Sequence, residues 1–150
     1  MKFFRKLLSS ITSQADRDDN GAVQLRSGDL IAEASGGANL VDGVPTYEHA
    51  EQNKDDLEAM LRCCDAELET MAKTGFVAAP YYFERAAILF RKSKRYKEEV
   101  EICSRYLAAV NKHYKDPSNQ ELCDVRKGPR FQAIKSRLAK ARALRDNPKK

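Results

Sequence analysis

The cysteines are the first residues whose chemistry could make a site. Cys63 and Cys64 are adjacent, and Cys103 and Cys123 follow 39 and 20 residues later. This spacing contains no C-x-x-C pair, so we predict no zinc or other metal site. Cys64 falls in an apolar helical stripe and Cys63 at its border, which favours buried thiols. The alternative is a redox-active thiol at Cys63 or Cys64, which would need a depressed pKa supported by Arg62.

Other residue types that carry catalysis are present but poorly spaced. Neither His49 nor His113 has a second histidine or a suitable glutamate three or four residues away, so we expect both at the surface. Ser9 and Ser10 lack the glycines of a nucleophile elbow. The run SGGAN at 35–39 has the composition of a linker and not of a phosphate-binding loop. We therefore predict a protein that is not an enzyme and needs no cofactor.

The C-terminal end is strongly basic. Residues 126–150 hold ten Lys and Arg against one acid, Asp146. One interpretation is a polar capping helix, partly complemented by an acidic helix within 46–73, which holds eight acids and three bases. The other is contact with nucleic acid or an acidic partner. Base stacking is not indicated, because the only interleaved aromatic, Phe131, is expected to face the core. The candidate polyanion contacts are Arg130, Lys135, Arg137, Lys140 and Arg142.

Residues 1–11 form a short amphipathic segment. Its apolar residues have helical spacing, and Lys2, Arg5 and Lys6 occupy the other side. Three uses stay open: docking on a partner, weak peripheral contact with a membrane, or docking on the chain's own domain. No run approaches the ~20 apolar residues of a membrane span and no secretory signal is evident, so we expect a cytoplasmic protein. The candidate contact residues here are Phe3, Phe4, Leu7 and Leu8.

The elements that position all these residues are expected to be helices. No alternating apolar and polar run predicts a strand. Residues 12–45 hold five of the seven glycines and are expected to be a flexible linker, whereas 46–145 should form one domain, followed by a basic tail at 146–150. The fold class is all-α, with about four helices in antiparallel hairpins. The predicted helices run from Thr46 or Asn53 to Lys73, from Pro80 to about Ser93, from Tyr96 to about His113, and from Pro129 to about Arg145.

A spaced set of aromatic and small residues lies within residues 80–110. A large aromatic in the first turn is followed by a small pair, a second aromatic, a three-residue turn and an aromatic that opens the next helix. These residues are Phe83, Ala86, Ala87, Phe90 and Tyr96, with Cys103 at a later apolar position. The segment resembles one tetratricopeptide repeat. It departs from that family at Glu99 and Tyr106, where small residues are usual, and at Lys94 and Asn111, which replace the turn glycine and the closing proline.

The resemblance implies a repeat-like helical domain that binds another protein. With only one recognisable repeat, the first and last helices would have to act as caps. The concave side of the second helix would carry the contact residues, for which the candidates are Tyr82, Glu84, Arg85 and Arg91. Glu98, Glu99 and Glu101, close to several Lys and Arg, are expected to form a solvated helix face, and the alternative is a charged rim for a partner's peptide.

Overall fold

The computed structural model describes residues 27–119 and 124–147. Helices account for 76% of these residues, and they pack in antiparallel-like contacts. The α-helices are α1 (Ser27–Ser35), α2 (Thr46–Gln52), α3 (Leu57–Thr74), α4 (Pro80–Lys92), α5 (Tyr96–His113) and α6 (Pro129–Asp146). Two strands, β1 (Leu40–Val41) and β2 (Val44–Pro45), pair antiparallel, and short 3-10 helices cover Pro117–Asn119 and Val125–Lys127. None of the described helices is long and apolar enough to cross a membrane.

The ends of the long helices follow from local chemistry. Asp56 caps α3, because its side chain accepts a hydrogen bond from the backbone N–H of Ala59 at 3.1 Å. Gly75 ends α3 in the left-handed conformation, with φ of 76°, and donates its N–H to the carbonyl of Met71. Pro80 and Pro129 stand in the first turns of α4 and α6, where a missing N–H costs nothing. The predicted bounds of α4, α5 and α6 are confirmed to within one residue.

The region before residue 57 is more structured than we predict from composition. Residues 27–45, assigned above to a flexible linker, contain α1 and a β-hairpin, and the predicted first helix is two helices, α2 and α3, so the described residues hold six α-helices instead of about four. The all-α class is confirmed, although the described residues also contain one short hairpin of two-residue strands that we do not predict. Asp42 and Gly43 both have positive φ, 53° and 81°, as a tight hairpin turn requires.

Buried polar side chains hold this region together. The Asn39 amide donates to the Gly28 carbonyl at 3.2 Å, and Asn39 is only 4% exposed. His49 is 5% exposed, so our expectation that it lies at the surface is wrong: its Nε2 is 2.9 Å from the Val41 carbonyl, and its Nδ1 is 2.8 Å from the Asn53 amide nitrogen. These bonds satisfy backbone groups that a small apolar core leaves unpaired, and thus order a glycine-rich segment.

The core lies between α3, α4, α5 and α6. α4 packs against α3, α5 and α6, and α6 also packs against α5. Phe83 and Tyr106 are fully buried with ring centroids 4.6 Å apart, and the Tyr106 hydroxyl donates to the Ala78 carbonyl. Full burial of a side chain such as Phe83 contributes about 1.5–3 kcal/mol. Ala86 and Ala87 are fully buried as well, so the neighbouring helices approach α4 closely.

A buried carboxylate joins three helices. Glu99 on α5 is 0% exposed, so its assignment to a solvated face is wrong. Arg91 on α4 contacts both carboxylate oxygens, with Nη2 2.7 Å from Oε1 and Nε 2.9 Å from Oε2. Arg137 on α6 places Nη1 3.3 Å from Oε1, and its own carbonyl accepts from Arg91. A small residue at position 99 would let α6 approach α5 more closely. Glutamate instead fills the space between the two helices and binds α6 through its charge.

Candidate functional site

The solvent-facing side of α4 forms an open cleft of about 130 Å³. Its floor residues are spaced three and four apart, so they lie on one side of the helix, opposite the buried stripe that includes Phe83 and Phe90. The lining consists of Tyr81, Glu84, Arg85 and Ile88 from α4 and Arg130 from α6. We call these five residues the α4 groove.

One edge of the groove comes from the start of α6. Arg130 Nη1 lies 2.7 Å from Glu84 Oε2, and its guanidinium carbon is 5.1 Å from the centroid of the Tyr81 ring. Stacking and ion pairing hold the arginine over the tyrosine face. The Arg130 side chain remains 52% exposed, whereas that of Glu84 is 17% exposed. The cation is therefore the partner that solvent, or another molecule, can reach.

On the other side of the groove, contacts from α2 and the loop that follows it hold Arg85 and Tyr81 in place. Arg85 donates to the Lys54 carbonyl and pairs with the Asp55 carboxylate. The Tyr81 hydroxyl donates to the Ala50 carbonyl at 3.0 Å. These contacts fix both side chains before anything binds. The groove is thus a pre-ordered surface and needs no rearrangement to present its aromatic ring.

The groove offers groups that suit binding. A tyrosine face and Ile88 supply apolar surface, and the flanking arginines supply donors for carboxylates. No histidine, cysteine or serine lines it. Within 27–119 and 124–147, no three His, Cys, Asp or Glu side chains converge as metal ligands would. Its volume is well below the roughly 300–1,000 Å³ of typical small-molecule pockets.

Two of the four contact residues predicted on the second helix line the groove, namely Glu84 and Arg85. Tyr82 does not, because it is 4% exposed and faces the interior, so it has no surface to offer a partner. Arg91 is committed to Glu99. Tyr81 and Ile88 were missed, although the buried stripe of α4 already indicates that they lie on the open side.

The predicted polyanion contacts on α6 separate into two groups. Arg130 pairs with Glu84, and Arg137 pairs with the buried Glu99. Lys135, Lys140 and Arg142 are exposed. They have no ion pair among the described residues.

The acidic residues of 46–73 do not complement α6. α6 packs mainly against α5 and α4, and no ion pair of the described chain joins it to α3. The interpretation of α6 as a helix complemented by the acids of the first helix is therefore wrong.

The thiols in the described part of the chain are structural in character. Cys63, Cys64 and Cys103 are free and fully buried. Burial raises the pKa of Cys63 to about 11, and the nearby Arg62 opposes this shift only in part. Burial also raises the pKa of Cys64. Both thiols are protonated at neutral pH, which is the opposite of a reactive, redox-poised cysteine. Cys123 lies outside the described residues.

The remaining candidate residues, Phe3, Phe4, Leu7 and Leu8, also lie outside the described part of the chain.

No family model, curated protein or solved structure matches this sequence. The groove's own geometry therefore carries the functional inference.

Proposed function

We propose that this chain is a non-enzymatic protein-interaction module whose α4 groove binds a segment of another protein. The observation that carries the proposal is an open helix face on which an aromatic and an aliphatic side chain lie between two pre-ordered arginines. Tyrosine and arginine are over-represented among the residues that dominate binding energy at protein interfaces. Ordering them in the free protein lowers the entropy cost of association.

The chemistry of the groove defines the segment that fits it. The cleft has room for one anchoring side chain, and Tyr81 and Ile88 favour an apolar one. Carboxylates on either side of that anchor would pair with the guanidinium groups of Arg130 and Arg85. Arg130 is 52% exposed and can bind a further carboxylate while it keeps its pair with the 17% exposed Glu84. Asp55, which is 65% exposed, can be displaced from Arg85 at little cost. The partner segment is thus apolar at its centre and acidic at its flanks.

The resemblance of residues 80–110 to a tetratricopeptide repeat supports the same proposal. α4 and α5 pack together as a hairpin, and α3 and α6 flank it. This arrangement agrees with a repeat capped by its neighbours. The resemblance implies binding through the concave side of α4, and two of the residues expected there, Glu84 and Arg85, line the groove. A cytoplasmic location is part of the proposal, supported by three buried free thiols.

The test is capture from nuclease-treated native lysate with three matched baits. Ile88→Asp places a charge on the groove floor. Lys112→Glu, a control, changes an exposed lysine near the end of α5. The proposal expects one protein retained by the wild type and the control and lost with Ile88→Asp, all three baits having equal helical content. Retention by all three would reject the groove as the contact. A fourth bait without residues 1–11 tests Phe3, Phe4, Leu7 and Leu8 as further contacts.

A second candidate function is nucleic-acid binding by α6. The observation that favours it is the exposure of Lys135, Lys140 and Arg142 without ion pairs in the described chain. Because Arg137 is held by the buried Glu99 whereas Arg130 stays half exposed, we count about three to four phosphate contacts, which corresponds to a salt slope of about −3 to −4 for duplex DNA. The measurement is duplex binding across a salt series. No binding at low salt removes this function.

A further inference from the structure

The β-hairpin exposes two apolar side chains on one face. Leu40 and Pro45 stand directly opposite each other in the two strands. Thr46 donates its N–H to the Asn39 carbonyl at 3.0 Å, so these two residues form a hydrogen-bonded position of the ladder. The next position, Leu40 with Pro45, is then the closer, non-hydrogen-bonded one. The side chains of such a pair lie together on the same face of the hairpin.

Tyr47 of α2 continues this apolar surface. A Cβ atom at position 28 would lie 2.8 Å from Tyr47 Cε1 and 3.8 Å from Pro45 Cβ, so both rings close over Gly28 at the start of α1. Leu40 is 37% exposed and Tyr47 is 45% exposed, and they are two of the three large hydrophobic residues that are exposed in the described chain. Adjacent exposed apolar side chains, unlike single scattered ones, indicate a contact surface. We call Leu40, Pro45 and Tyr47 the hairpin patch.

The elements that carry the hairpin patch are acidic. Residues 27–52, which cover α1, the hairpin and α2, hold five acids and no lysine or arginine. Glu51 is exposed and follows Tyr47 by four residues, so it lies beside the tyrosine on α2. It has no ion pair with another described residue. The α4 groove has the opposite character, because the charged side chain that solvent reaches there is Arg130. A basic segment with an apolar side therefore fits the hairpin patch and not the groove.

Residues 1–11 of this chain have both properties. The apolar residues on one side recur with helical spacing, and three bases lie on the other side. Three turns of helix are marginal alone in water, so this segment needs a surface to become ordered. Fifteen residues join it to Ser27, where α1 begins, and Gly28 already lies under the patch. A connection that short gives a roughly millimolar effective concentration, so a weak contact is sufficient for docking.

We propose that residues 1–11 dock on the hairpin patch of their own chain as a short amphipathic helix, with the apolar side against Leu40 and Tyr47. The three bases and the five acids attract each other over about 8–10 Å at moderate salt, so no specific ion pair is required. Docking withholds the apolar side of the segment from membranes and from other proteins. The α4 groove takes no part in it, so this inference does not depend on the proposed function.

The test uses the full-length, ¹⁵N-labelled chain with a nitroxide attached at Ser9→Cys. In a helix, Ser9 falls on the side away from the apolar residues of the segment, so the label leaves that side free. Cys123→Ser removes the one native thiol outside the described residues, and the three described thiols are fully buried and out of reach of the label. The nitroxide broadens the NMR signals of amides that lie near it.

Two variants of this sample weaken the contact from either side. Phe4→Ser with Leu8→Ser changes the segment, and Leu40→Ser changes the patch. Phe76→Ser is the matched control, because Phe76 is 40% exposed and lies outside the patch. Circular dichroism checks that helical content is equal in all samples. The segment variant alters no described residue, so it stays decisive if Leu40→Ser disturbs the hairpin.

The proposal expects broadening between residues 40 and 47 and at the start of α1 in the isolated chain and in the control. Loss of one large apolar contact weakens docking about tenfold, so both variants should restore most of the signal intensity there. Chains labelled with ¹⁵N but without nitroxide, mixed with unlabelled chains that carry it, should show no broadening.

Three results would overturn the proposal. Broadening in the mixture assigns the patch to the segment of a second copy. Broadening that is absent from the isolated chain, or confined to the α4 groove, shows that the segment does not dock on the patch. Broadening that Phe4→Ser with Leu8→Ser leaves unchanged shows that the apolar side of the segment does not make the contact.

Discussion

Removal of the Glu99 carboxylate is expected to cost far more folding free energy than removal of the carboxylate of an exposed neighbour on α5. Glu99→Ala deletes an acceptor that binds two guanidinium groups and joins α4, α5 and α6. Loss of one partner of a buried ion pair costs about 3–5 kcal/mol, because the remaining charge is left buried without compensation. The Arg91 and Arg137 side chains are 28% and 22% exposed, so both can recover some hydration. We therefore expect the lower end, about 3 kcal/mol.

Two companion variants separate charge from shape at this position. Glu99→Gln keeps the shape and one acceptor oxygen, but it removes the negative charge and turns an NH2 donor toward the arginine donors, so we expect a cost of about 2 kcal/mol. Replacing the whole triad with apolar residues, as Arg91→Met, Glu99→Leu and Arg137→Met together, leaves no uncompensated charge. Its stability should return to within about 1 kcal/mol of the wild type.

Urea unfolding followed by circular dichroism measures all three free energies, provided that the dependence on denaturant stays the same. The neighbour Glu98 serves as the control, since Glu98→Ala removes only an exposed pair with Arg95 and should cost little. If Glu99→Ala stays within about 1 kcal/mol of the wild type, the carboxylate is not desolvated and the role assigned to it is wrong. If the apolar triad is as unstable as Glu99→Ala, packing and not charge explains the loss.

Three further predictions concern single residues. Gly75→Ala should cost about 1 kcal/mol in urea unfolding, because φ is +76° and the added Cβ meets no atom within 4 Å, so only backbone strain counts; no loss would contradict a left-handed cap. His49→Ala should lower the free energy of unfolding by about 2 kcal/mol and speed amide hydrogen exchange in the hairpin, since it leaves the Val41 carbonyl and the Asn53 side-chain amide without partners. Unchanged hydrogen exchange would refute this prediction. Burial raises the pKa of Cys63 from its ordinary 9.0 to about 11, so the stability that the protonated thiol contributes is present below pH 9 and is lost between pH 9 and 11. Over that range the wild type should therefore lose more stability than Cys63→Ala in urea unfolding. Parallel pH profiles for the two proteins would disprove this prediction.

The long helices could be predicted from the sequence because their signals are local. Apolar residues three and four apart define α4, α5 and α6, and Pro80 and Pro129 mark where two of them begin. The structure before residue 57 depends on contacts between residues distant in sequence, such as the Asn39 amide with the Gly28 carbonyl. Composition does not encode those bonds. The Asp42-Gly43 pair between two valines was nevertheless a usable hairpin signal.

The groove could be predicted only in part. Glu84 and Arg85 follow from the open side of α4, and Tyr81 and Ile88 could have been added by the same periodicity. The contribution of Arg130 depends on how α6 packs against α4, which no local pattern specifies. The buried position of Glu99 was hidden for the same reason: in the sequence it is one acid among several, and only the arginines from α4 and α6 explain its burial.

The most direct test of the proposed binding surface is an NMR titration of the ¹⁵N-labelled chain with the partner protein recovered by capture. The account predicts that amide shifts concentrate between Tyr81 and Ile88 and around Arg130, and that Ile88→Asp abolishes them. Shifts confined to the exposed side of α6, around Lys135 and Arg142, or to α1 and the hairpin would contradict the α4 groove as the site of partner binding.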